Sequence, residues 1–207
     1  MDYQYDIFIS YPRKPSYVGD WVCGNFFNTF NDSLDNLIGG EPRIFLDKSS
    51  ITNGQEWQTR ILDGLNYSKC MIAIISQRYL TSENCCRELA VFLNRLSYLK
   101  QKQLIDANHP GIFFPILVGD IYKMPTELNN IQFENFSNYV HTAHDYINTI
   151  QYVNFEKEIR AWSKIILNAI LSSPDCDPDW NCQDLTQEPI SHIIQQPLNK
   201  ISIPRLS

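Results

Sequence analysis

Residues 69–89 read KCMIAIISQRYLTSENCCREL, and the fold class turns on how the first eight of them join the remainder. Lys69–Ser76 (KCMIAIIS) is a short apolar run without strict alternation, the pattern of a strand covered on both faces of a parallel sheet. Ser82 then offers a side-chain oxygen suited to capping a helix N-terminus. Leu89, Phe92, Leu93 and Leu96 come next at spacings of three, one and three, which predicts an amphipathic helix with those residues on its buried face. A buried strand running straight into a helix is the building unit of a parallel α/β sheet.

The same unit repeats outward in both directions. Tyr5–Ser10 (YDIFIS), Arg43–Leu46 (RIFL) and Ile112–Val118 (IFFPILV) read as further buried strands. Val22, Phe26, Phe30, Leu34 and Leu37 keep a helical period after the first strand, and Gly39-Gly40 ends that helix. Trp57, Ile61, Leu62 and Leu65 do the same after the second strand. Strand and helix alternating in this way predict an α/β fold with a doubly wound parallel sheet. From Gly119 to Asn154 the pattern is less regular and is read as a loop-rich connection with room for one short strand. A last helix is expected over Phe155–Leu171, with Ile159, Trp162, Ile165, Ile166 and Ile170 on one face.

Residues 1–171 are therefore read as one domain and 172–207 as a proline-rich acidic tail. The tail holds five of the eleven prolines, with Asp175, Asp177, Asp179, Asp184 and Glu188 against Lys200 and Arg205. That composition suggests an extended segment: a linker, a docking segment for a partner protein, or an arm on its own domain.

Composition limits the function classes. A formal charge of −6 argues against nucleic-acid binding by phosphate neutralisation and against a polybasic membrane anchor. No apolar run approaches the roughly 20 residues of a membrane span, and the start of the chain runs directly into a strand pattern, so a cytoplasmic location is expected. The six cysteines lack metal-ligand spacing and are read as reduced thiols; no metal site is expected. His141-Thr142-Ala143-His144 is read as a solvated loop.

An open parallel sheet binds ligands beyond the carboxyl ends of its strands. Three polar segments are delivered there: Ser10, Tyr11 and Arg13 after the first strand, Asp47 and KSSITNGQEW after the second, and SENCCREL after the third. Asn53-Gly54 supplies the only glycine in these loops and reads as a turn, so the phosphate-cradling glycine patterns are missing. Within the third segment, helical geometry puts Glu88 about 85° from the centre of the Leu89/Phe92/Leu93/Leu96 face. With Phe92 at i+4 it has no helical ion-pair partner, and pattern alone favours a half-sheltered structural carboxylate.

The ordered motifs YDIFISY, FLDKSSITNGQEWQTRILDGLNYSKCMIAIISQRYLTSENCCREL and FFPILV resemble the Toll/interleukin-1 receptor (TIR) domain family over about residues 3–171. The resemblance implies a flavodoxin-like sheet of about five parallel strands. Some members of that family are scaffolds acting by homotypic contact. Others cleave NAD+ at the nicotinamide–ribose bond, relying on a glutamate within a pattern like S-x-W-C-x-x-E-L. The matching residues here are Ser82, Asn84, Cys85, Glu88 and Leu89, so the resemblance puts Glu88 at the catalytic position and Asn84 where the family has tryptophan.

By the same resemblance Tyr11 and Arg13 are candidates for lining a substrate pocket, against the plainer readings of a strand-end tyrosine and a solvated arginine. Asp47 is a candidate ligand contact or a loop cap. The segment around Ser49, Ile51, Asn53, Gly54 and Trp57 is the expected self-association loop, packing head to tail on the next molecule. The resemblance implies an NAD+ glycohydrolase or cyclase in immune or anti-phage signalling, with NAD+ as substrate and no other cofactor. The alternatives are a non-catalytic scaffold and a nucleoside-transferring enzyme on a similar sheet.

Overall fold

The structure is a computed structural model that describes residues 2–47, 54–106, 109, 111–122, 124–129, 131–177 and 180. Five strands form one parallel sheet in the order β2-β1-β3-β4-β5. They are β1 (Tyr5–Ser10), β2 (Ile44–Leu46), β3 (Ser68–Ile75), β4 (Phe113–Leu117) and β5 (Glu134–Asn135). The flavodoxin-like fold implied by the sequence is therefore present. The order reverses between β1 and β3, which makes the carboxyl ends of these two strands the switch point where such sheets take ligands.

Strand register separates the two faces. Ile9, Ile72 and Phe114 are neighbours across β1, β3 and β4, and Phe114 meets Trp162 edge-on, with ring centroids 6.5 Å apart. That face carries α1 (Tyr17–Trp21), α2 (Phe27–Ile38) and α6 (Ile150–Leu171), with Phe26 and Phe30 also against Trp162. Phe8 points the other way, stacking on Phe45 at 5.1 Å and reaching Phe92. There α3 (Gly54–Tyr67) and α5 (Glu83–Gln101) cover the sheet. A Cβ at Gly64 would lie 2.9 Å from the Phe8 ring, so α3 approaches β1 this closely only because position 64 has no side chain.

β5 is only two residues long, and Pro115 supplies a reason. Val118 donates its N–H to Ile75 on the β3 side, so by alternation position 115 faces β5, where proline has no N–H to give. Pairing with β5 is confined to Ile116 and Leu117.

Several sequence expectations are corrected. Between α1 and α2 the helix widens into a π-helical turn, Val22–Phe26, and Leu37 is exposed. A four-residue helix, α4 (Gln77–Leu80), precedes α5. α6 begins five residues earlier than expected, and Ile165 points to solvent at 45% exposure. Gly39 does end α2, with a left-handed φ of 73° that suits glycine. The start of the tail is not extended away from the domain: Tyr98 of α5 donates to Asp177 Oδ2 at 2.6 Å, and the Trp180 ring packs on Tyr98 at 5.4 Å. Most of the tail lies outside the described residues.

Candidate functional site

The largest correction concerns α5. Ser82 caps it as expected, its Oγ accepting from the Cys85 N–H at 3.4 Å. Its buried stripe, however, runs Cys85, Glu88, Phe92, Arg95, Leu99, alternating steps of three and four residues. Leu93 and Leu96 lie at the margin, half-buried. Glu88 is therefore in the stripe and 2% exposed. The apolar pattern misplaced the face because two of its five positions are charged.

Both carboxylate oxygens of Glu88 are held. Ser10, the last residue of β1, donates to Oε2 at 2.5 Å. Arg13 donates through Nη2 to Oε1, also at 2.5 Å, and its Nε lies 3.4 Å from Asp47 Oδ2. Ser10 also meets the Tyr79 hydroxyl at 3.0 Å; with the serine hydrogen committed to Glu88, Tyr79 is the donor there. A relay from Tyr79 through Ser10 to Glu88 thus joins α4, β1 and α5 at the switch point. Sequence reasoning delivered Ser10 to this edge without giving it a role, and Tyr79, in the short QRYL segment, carried no periodic signal at all.

Burial raises the Glu88 carboxyl above its ordinary value, and the opposing pull of Arg13 and Ser10 does not cancel it. Burial, aided by the Glu88 charge, also pushes the thiols of Cys85 and Cys86 up to about 12, so both are neutral thiols near neutral pH and not nucleophiles.

The other candidate residues divide. Tyr11 is 4% exposed; its hydroxyl donates to the Asp47 carbonyl at 2.8 Å and meets Cys23 Sγ, on the π-helical turn, at 3.3 Å. It ties the end of β1 to the end of β2. Asp47 is buried and faces Arg13. Asn84, one turn before Glu88 on α5, is exposed, while the hydrogen bonds to the Glu88 carboxylate come from Ser10 and Arg13. Ser49, Ile51 and Asn53 lie outside the described residues. Gly54 begins α3, so the segment read as a loop through Trp57 is helical from residue 54; the Trp57 side chain is outside the description.

A family model described as TIR domain matches residues 7–166, which span β1 through most of α6. The chain belongs to the TIR domain family. Among solved structures it is similar to the TIR domain of the Toll-related receptor TRR-2 from Hydra magnipapillata, at 17% identity and a TM-score of 0.46, covering 76% of this chain and 99% of that one. No curated protein matches the chain. Family membership makes this TIR domain a signalling or interaction module, of a kind that self-associates. Among the described residues, no helix is long and apolar enough to cross a membrane.

Proposed function

We propose that this TIR domain is an NAD+ glycohydrolase that works in immune or anti-phage signalling, with Glu88 as the catalytic carboxylate. The observation that carries the reading is one glutamate at the switch point, 2% exposed, with both oxygens held and its charge only partly compensated. Groups so perturbed cluster at functional sites.

The chemistry needs one such group. In NAD+ the nicotinamide nitrogen is a cationic pyridinium. When the C1′–N bond breaks, the electron pair leaves with that nitrogen and nicotinamide departs neutral. No general acid is required, unlike a glycosidase whose leaving group is an alkoxide. Positive charge develops on the ribose, and an ionised carboxylate beside C1′ stabilises it. Water then adds to C1′ and loses a proton, giving ADP-ribose; attack by an adenine nitrogen of the same molecule gives a cyclic isomer instead. Ser10 and Tyr79 orient Glu88, Arg13 and Asp47 form the wall toward solvent, and Tyr11 holds that wall to β1. Asn84, on the exposed first turn of α5, is proposed to meet the outer part of the substrate. Self-association through residues 48–57 completes the site.

The test is nicotinamide release from NAD+, followed by chromatography with mass detection, for the wild type beside Glu88→Gln and with a crowding agent to promote assembly. Release that is lost in the variant while assembly persists supports the reading, and the co-product mass identifies hydrolysis or cyclisation. Equal traces for both proteins overturn it in favour of a non-catalytic scaffold.

A further inference from the structure

Arg13 stands in the way of NAD+ cleavage by Glu88. Its guanidinium lies against Glu88 Oε1, where a developing ribosyl cation would need the carboxylate, and it carries the same sign of charge as the incoming pyridinium. Glu88 and Asp47 are both buried, whereas the Arg13 side chain is 15% exposed, so Arg13 is the outermost member of the cluster. On the inner side Glu88 is closed by Ser10 and Tyr79. The approach to Glu88 therefore passes through the guanidinium.

We propose that Arg13 is a counter-ion gate opened by the phosphate of the substrate, so that the site selects phosphate-bearing pyridine nucleotides over the phosphate-free riboside. The proposal rests on the reading of Glu88 as the NAD+-cleaving group. Leaving Glu88 without compensation strands a buried charge, so the gate is stable while closed. A phosphate offers the guanidinium a planar, two-pronged partner as good as the carboxylate it releases. That phosphate is attached through the 5′ oxygen of the same ribose that presents C1′ to Glu88, within the sweep of an arginine side chain. Binding thus exchanges one anion for another on Arg13 and leaves Glu88 ionised, beside the cationic ring.

The local backbone assigns the motion to the side chain. Arg13 lies between Pro12 and Pro15, whose rings restrict φ, and Ser16 anchors the adjoining helix by accepting from the Gly19 N–H at 3.1 Å. The Asp47 contact holds the guanidinium in its closed position from the far side.

The experiment compares NAD+ with nicotinamide riboside as substrates for wild type, Arg13→Gln, Arg13→Lys and Glu88→Gln. A gate requires opposite effects on the two substrates. Arg13→Gln raises kcat/KM for the riboside about tenfold, because no ion pair has to be broken, and raises KM for NAD+ about tenfold, because a phosphate contact is lost. Arg13→Lys, which keeps the charge without the two-pronged geometry, changes both in the same directions by less and serves if the glutamine variant does not fold. Unchanged or reduced riboside turnover in both variants, with wild-type NAD+ cleavage intact, overturns the gate alone. Wild type no better than Glu88→Gln on NAD+ overturns the catalytic reading and the gate with it.

Discussion

The two ends of β1 each bury an acid, and they treat it differently. At the amino end Asp6 receives two cations: the Arg43 guanidinium at 2.9 Å and Lys69 Nζ at 3.0 Å, with the Arg43 backbone N–H in addition. At the carboxyl end Glu88 receives one guanidinium, which it shares with Asp47, and one serine hydroxyl. Burial opposes ionisation at both, but at Asp6 the hydrogen bonds from Arg43 and Lys69 outweigh it and hold the carboxyl below its ordinary value. At Glu88 burial wins and the carboxyl is raised. Asp6 is a clip joining β1 to the starts of β2 and β3, satisfied within the fold. Glu88 is incompletely satisfied, the condition in which a carboxylate has something left to offer a cationic substrate.

The same acid-to-amide change at the two ends is the sharpest way to break this comparison. Glu88→Gln lowers nicotinamide release by about a thousandfold or more while the protein still melts cooperatively. Asp6→Asn leaves kcat unchanged but costs about 2 kcal/mol of stability, read by chemical denaturation at pH 7. The pH dependence sharpens it. The folded value for Asp6 is depressed, so its stabilisation is present above the ordinary value of 3.8 and is lost as pH falls through the folded value. The gap between wild type and Asp6→Asn is therefore full at neutral pH and closes on acidification. A gap independent of pH would mean that the carboxylate charge is not what holds the clip.

Smaller effects separate positioning from packing. Ser10→Ala removes a donor to the ionised form of Glu88, which raises its pKa further. The acid limb of the kcat–pH profile then moves to higher pH, and kcat at the optimum falls about tenfold. A merely structural serine would lower stability without moving that limb. Smallest is Lys69→Met, which leaves Arg43 on Asp6 and costs about 1 kcal/mol or less with no change in turnover.

The sheet was legible because its signal is hydrophobic burial. β1 falls on the residues expected, β2, β3 and β4 within a residue or so at each end, and the glycine stop and serine cap act through local chemistry that any observer of the chain can read. β5 was not legible: it is two residues long and limited by Pro115 on a neighbouring strand, a cause more than a dozen residues away. Glu88 was singled out from its motif, yet pattern analysis set it on the flank of α5. Periodicity counts apolar residues, and the stripe that this helix buries includes Glu88 and Arg95.

By itself the sequence determined the α/β class, the parallel strands, the family, and the polar segments that gather at one edge of the sheet. All of these rest on local periodicity and motif order. The tertiary structure alone decided what those segments do to one another. It brought Arg13 and Ser10 onto Glu88 across some 75 residues of chain, placed Tyr79 behind Ser10, and turned Tyr11 from a pocket wall into a tie on β2. Such pairings depend on strand order and helix rotation, which spacing along the chain does not encode. Whether a carboxylate is satisfied or left wanting is a property of its neighbours in space.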